Sequence, residues 1–165
     1  MRGDAGFAAF ARARGDRMLR VAWLITRHRE DARDAAQDAL LGLYRSRGRL
    51  PDGDALEAYV HRSVVNAGVR VIGRRPAAVP VAEVDRVPGS VADGTQAWVE
   101  ADAVWPLCGT LGPSQRAAVV LRFHEDLPFA EIADILGCAD ATARSHVHRA
   151  LATLRARLEE DPDGR

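Results

Sequence analysis

The sequence predicts an all-α protein made of two small helical domains joined by a flexible, acidic linker. Three observations lead there. Apolar residues recur at a 3.6-residue period in three runs before residue 75 and again in the last third of the chain. Between them, residues 76–97 lose that period and are punctuated by proline and glycine. The last third then breaks at one glycine, between a short helical pattern and a longer one. The expected domains are residues 1–75 and 98–160, with 76–97 as the linker.

The first run, from about Asp4 to Thr26, puts Phe7, Phe10, Ala11, Met18, Val21, Ala22 and Ile25 at helical spacing, with Gly15 as a weak point. The second, from about Asp31 to Arg45, has Ala32, Ala35, Ala36, Ala39, Leu40, Leu43 and Tyr44 as its apolar face. Glu30, Asp31 and Asp34 crowd its first turn, where acids suit the positive end of the helix dipole, and Arg45 and Arg47 close the other end. "GRLPDGD" stops it. A third run spans about Asp54 to Gly73, with Leu56, Val60, Ser63, Ala67 and Val71 inside. Val65, Val69 and Ile72 form a second apolar strip, which predicts burial on more than one side. Arg62 and Asn66 project off the inner side, Arg70 lies near its edge, and Arg74 and Arg75 fall where the helix should end. Three such helices can bury one another as a small bundle, though a core of that size is marginal alone.

After the linker, Trp98 to Thr110 reads as a helix interrupted by Pro106, with Trp105 and Leu107 in the core. The next helix runs from about Ser114 to His124, with Ser114 as N-cap after Pro113. Phe129 to Leu136 follows, and Gly137 supplies a left-handed turn. Asp140 then caps a helix reaching Leu158. A short helix, a tight glycine turn and a longer helix are the ingredients of a helix-turn-helix. The longer helix keeps Ala143, Val147, Ala150, Leu151, Leu154 and Leu158 on one face. Its opposite face carries Ser145, His148 and Arg149, with Arg144 on the flank. These side chains donate hydrogen bonds, and arginine can pair bidentately with guanine. A helix that is dry on one side and donor-rich on the other can sit in a major groove while packed on its partner helix. A solvated, arginine-rich surface helix has the same composition. The preceding turn favours the DNA-reading alternative.

Composition narrows the function classes. Hydrophobic content is 47%, and no apolar run approaches the roughly 20 residues that span a bilayer. No signal peptide is visible, so a cytoplasmic, non-membrane protein is expected. The polar tail "EEDPDGR" predicts no further C-terminal domain. Cys108 and Cys138 are isolated and read as free thiols. Net charge is zero, yet the charges are segregated. All 23 basic residues are arginine. Tyr59 to Arg75 holds four arginines and no acid, whereas Pro76 to Ala103 holds five acids and one arginine. No catalytic constellation is present, because His146 and His148 point in different directions and no phosphate-binding glycine loop occurs. The expectation is a non-enzyme with no cofactor and no metal.

The stretch "LGPSQRAAVVLRFHEDLPFAEIADILGCADATARSHVHRALATLRARL" resembles region 4 of bacterial sigma factors of the extracytoplasmic-function type. "AWLITRHREDARDAAQDALLGLYR" resembles their regions 2.1 and 2.2, and "EAYVHRSVVNAGVRVIGRR" their regions 2.3 and 2.4. The resemblance spans about Phe7 to Leu158 and is nearest the short actinobacterial members. It implies a factor that binds core RNA polymerase through the β′ clamp helices and the β flap, with promoter DNA as the second partner. An anti-sigma factor is a candidate third. Carried onto this chain, Asp34, Gln37, Asp38 and Leu41 would contact the polymerase clamp. Tyr59, Arg62, Asn66, Arg70, Arg74 and Arg75 would face the −10 element. Arg144, Ser145, His148 and Arg149 would read the −35 element. Two departures stand out. Ala143 replaces the family's usual valine, and aliphatics occupy Val71 and Ile72, where many relatives carry an aromatic. Response regulators also carry a helix-turn-helix of this general kind, so a stand-alone transcriptional regulator is the alternative.

Overall fold

The computed structural model describes residues 3–73 and 104–160, and among them the chain is helical with no strand. Three long helices form the first half: α1 (Asp4–Thr26), α2 (Arg29–Ser46) and α3 (Asp54–Gly73). The second half holds α4 (Val104–Leu107), a 3₁₀ turn (Cys108–Thr110), α5 (Pro113–Val119), a π-helical segment (Val120–His124), α6 (Phe129–Leu136) and α7 (Asp140–Glu160). Residues 76–97, assigned to the linker, and Trp98, expected to open the following helix, lie outside the described residues.

Local chemistry sets the helix ends. Arg27, in the left-handed region at φ 56, closes α1 by donating its N–H to the Trp23 carbonyl at 2.7 Å. The next helix starts two residues earlier than the acid cluster suggests, because His28 Nδ1 accepts the Asp31 N–H and serves as its cap. Gly137 at φ 65 ends α6 as expected, and the Cys138 and Gly137 N–H groups reach back to the carbonyls of Ala133 and Asp134. Two expected caps are corrected. Gly112, not Ser114, precedes α5, since Pro113 already has helical backbone and needs no donor at that position. Asp140 is the first residue of α7, and its carboxylate accepts from Arg144 Nε at 2.8 Å.

Burial follows the predicted faces with informative exceptions. Trp23, Leu24, Ile25, Leu43, Val64 and Val65 share one apolar cluster with Leu121, Ile132 and Ile135 from the second half. A smaller cluster joins Cys108, Leu111, Val119, Ala150 and Leu154. Both cysteines are free. The third helix is buried on two sides, as its double strip predicts, but His61 and Gly68 belong to the buried set while Leu56, Ser63 and Val71 are only half-buried. At Gly68 a Cβ would sit 3.1 Å from Ile25 Cγ2, so glycine there lets α1 and α3 approach closely. On α7, Ala143, Val147, Ala150 and Leu154 are buried, whereas Leu151 and Leu158, assigned to the same face, are exposed.

The two halves meet over α1 and α3, against which α5 and α6 pack. The seam is polar at its centre. Glu125, with its side chain 1% exposed, receives Arg17 Nε at 3.0 Å, His61 Nε2 at 2.7 Å and His124 Nδ1 at 2.8 Å. A carboxylate only accepts, so both histidine nitrogens carry the proton in these bonds. Burial alone pushes the Glu125 pKa up, but hydrogen bonds from His124, His61 and Arg17 outweigh it and hold the carboxyl well below the usual range. Arg116, also buried, donates to the carbonyls of Ile25 at 2.7 Å, Gly109 at 2.8 Å and Leu111 at 2.9 Å.

A depressed folded-state pKa makes the Glu125 contribution fully present above the ordinary carboxylate value of 4.5 and removes it as the pH falls below that value. Glu125→Gln should lower stability at pH 7 by on the order of 2 kcal/mol and flatten the loss of stability on acidification. Urea unfolding of both proteins at pH 7 and pH 4 checks this. An acid-side slope equal to that of the parent protein would show that the carboxylate does not key the seam.

Candidate nucleic-acid interface

Three outward-facing stripes remain once the buried faces are accounted for. On α7, Arg144, His148 and Arg149 are exposed and Ser145 is half-buried, while Ala143, Val147 and Ala150 hold the helix to the core from the other side. Arg149 has no side-chain partner among the described residues. Arg144 is tethered to Asp140 and lies against the Phe129 ring, with Cζ 4.5 Å from the centroid. α6 supports the recognition helix through buried Ile132, Ala133 and Ile135. The sequence reading missed Phe129 and Arg122, which flank this face, and the cue that was available is an aromatic at the first position of α6.

The second stripe is on α3. Tyr59, Arg62, Asn66 and Arg70 are all exposed and follow one another at three- or four-residue steps. Tyr59 is 38% exposed, which settles it as surface and not core. Val60, Val64 and Ala67 face inward between them. Arg74 and Arg75 lie outside the described residues. The third stripe is on α2, where Asp34, Gln37, Asp38 and Leu41 are all exposed. Leu41 is 43% exposed, an apolar residue between Asp38 and Arg45 on a helix whose opposite side is lined by buried alanines. No group of three or more histidine, cysteine or acidic residues able to hold a metal exists among the described residues.

The family model for Sigma-70 region 2 matches residues 10–75, and that for Sigma-70, region 4 matches residues 107–154. The RNA polymerase sigma-E factor of Streptomyces avermitilis is 33% identical over 161 residues, covering 96% of this chain and 89% of the relative. The ECF RNA polymerase sigma factor SigM of Mycobacterium tuberculosis is 40% identical over 139 residues, covering 84% and 69%. The chain belongs to the extracytoplasmic-function sigma factors. Two solved structures share its helical fold. CnrH in complex with the cytosolic domain of CnrY has a TM-score of 0.66 at 21% identity, covering 97% of this chain and 92% of that one. The sigma factor RpoE in complex with the anti-sigma factor NepR from Bartonella quintana has a TM-score of 0.66 at 20% identity, covering 96% and 99%. No helix among the described residues of this sigma factor is long and apolar enough to cross a membrane.

Arg149 is exposed and opposite the buried stripe, so Arg149→Ala should change stability by no more than about 0.5 kcal/mol. If Arg149 makes a bidentate base contact, its loss should cost recognition about 1–3 kcal/mol at one −35 position, and if it touches only phosphate the cost should be smaller and equal on all promoters. Transcription from a promoter library randomised across the −35 element, with Arg149→Ala and Ser145→Ala beside the parent, measures it. An unchanged level and an unchanged preferred sequence for both variants would remove this face from DNA reading.

Proposed function

We propose that this sigma factor binds core RNA polymerase, carries it to promoters and initiates transcription there. Residues 1–75 are the polymerase-binding and −10 domain, 76–97 the linker, and 98–160 the −35 domain. The observation that carries this reading is the exposure of every described candidate residue except the half-buried Ser145, on helices whose opposite faces build the core. On α2, Asp34, Gln37 and Asp38 around Leu41 suit a basic, partly apolar helical partner such as the β′ clamp helices, and the β flap would take the second half. Along α3, Arg62 and Arg70 bracket Asn66 for a base edge. Tyr59 supplies the stacking surface that Val71 and Ile72 do not, and such stacking is worth roughly 1–3 kcal/mol per base. An anti-sigma antagonist is a proposed partner as well, and the cytoplasm the proposed site of action.

Size adds a constraint. A compact body made of residues 3–73 and 104–160 has a radius of gyration of about 14 Å, hence a diameter of roughly 36 Å. The two promoter elements lie on the order of 25 base pairs apart, or ~85 Å at ~3.4 Å per base pair. Engaging both at once therefore requires the two halves to separate along the Glu125 seam. With the seam closed and zero net charge, the free protein should bind promoter DNA only weakly at physiological salt. Fluorescence anisotropy with a labelled promoter tests this, and tight sequence-specific binding without polymerase would favour the stand-alone regulator.

Asp38→Arg should reduce co-purification with core polymerase and run-off transcription while leaving helicity unchanged, because the position is exposed and off the apolar face. Reconstitution with core enzyme and mapping of the transcript start measure both. Normal co-purification together with normal transcription would withdraw α2 as the polymerase contact.

A further inference from the structure

Two arginines converge on one aromatic ring beside the recognition helix. Phe129 opens α6 and is half-buried, packed against the main apolar cluster. Arg122 Cζ lies 5.3 Å from its ring centroid and Arg144 Cζ lies 4.5 Å from it. Both distances fit attraction of a cation to the ring quadrupole. Each guanidinium is also held from a second direction. Arg122 Nη1 donates to the Leu127 carbonyl at 3.0 Å, and Arg144 Nε donates to Asp140 Oδ2 at 2.8 Å. The side chains nevertheless remain open to solvent, at 36% for Arg122 and 60% for Arg144.

Both guanidinium groups keep donor capacity toward solvent, and anions at this surface can accept from them. The nearby acids take up only part of that capacity. Asp140 engages the Nε edge of Arg144, and Asp126, 99% exposed, is 3.9 Å from Arg122 Nη1. The terminal nitrogens of Arg144 have no partner among the described residues. A DNA strand supplies anions in a row, and arginine's fork matches phosphate oxygens in pairs. Pinning both side chains before binding also reduces the side-chain entropy lost when the complex forms.

We propose that Phe129 is a positioning residue for promoter binding: its ring holds Arg122 and Arg144 as a paired grip on the phosphates of one strand, which seats the α7 face in the major groove. This rests on the −35 reading of α7. It divides the labour on that surface, with Arg144 gripping backbone and Arg149, one helical turn and a residue further along, left to the bases.

The test is holoenzyme binding to a promoter duplex across a salt series, with the parent protein, Phe129→Leu, Phe129→Tyr, Arg144→Ala, Arg122→Ala and Arg149→Ala, each checked for thermal stability. Phe129→Leu should weaken binding about two- to fivefold, the worth of an exposed cation–ring contact. The loss should be equal on the native and a scrambled −35 element, and the slope of log K against log salt should fall by about one. Phe129→Tyr keeps the ring and should bind as the parent does. Arg144→Ala and Arg122→Ala should each lower the slope by about one, which keeps the proposal testable if Phe129→Leu does not fold. A parental salt slope in Phe129→Leu, or in both arginine variants, overturns the grip, and so does a Phe129→Tyr defect as large as that of leucine. Should one of those results occur while Arg149→Ala still shifts −35 preference in the same assay, the grip alone has failed and the −35 reading stands. If Arg149→Ala also behaves as the parent, the −35 reading itself has failed.

Discussion

One buried carboxylate sets the relation between the halves of this protein. Glu125 is out of water, and a buried charge must be matched or it is strongly unfavourable. Arg17 from α1, His61 from α3 and the adjacent His124 match it. The two donors from the first half, Arg17 and His61, fix the register of the second half on the first more tightly than the surrounding apolar side chains could, because apolar contacts are non-directional and hydrogen bonds are not. Such a group is weak evidence for large net stability, since desolvation offsets much of the attraction. It is better evidence for a specific geometry.

The π-helical segment delivers Glu125 to that position. α5 begins as an ordinary helix after Pro113 and widens over Val120–His124, so that the Glu125 N–H reaches back to the Val120 carbonyl at 3.1 Å. The change in pitch turns His124 and Glu125 toward α1 and α3 while Phe123 faces solvent, 55% exposed. Arg116, one helical turn before the widening, grips the Ile25 carbonyl at the end of α1. Burial lowers its pKa, and that of Arg27 to about 10, yet both stay cationic near neutral pH. The seam therefore consumes inward-facing polar groups and leaves the arginines of α3 and α7 outward.

This partition links packing to function. The α2, α3 and α7 stripes lie opposite the faces that make the core, so the packed form is complete without covering any of them. On the proposed division of the promoter elements between the halves, what it denies is distance, because a body this small cannot span both. The polar centre of the seam suits separation, since Arg17, His61, His124 and Glu125 can each be hydrated when the halves part, as an all-apolar interface could not.

By itself the sequence determined the helices, the glycine turn and the outward stripes. Helical period and polarity are local properties, and α1, α3, α6 and their exposed residues follow from them almost to the residue. The order of its matched segments also determined the family. Tertiary structure decided what depends on partners distant in the chain. Glu125 reads as a loop acid until His61, 64 positions away, and Arg17, 108 positions away, are seen beside it. Leu151 and Leu158 read as core because period marks a stripe without giving its width, and the width is set by what packs against it. Ser114 and Asp140 read as caps because the residue type fits, but Pro113 starts α5 one residue ahead of Ser114 and the Asp140 carboxylate is taken by Arg144. Phe129 reads as one more apolar residue, and only the fold brings Arg122 and Arg144 to its ring.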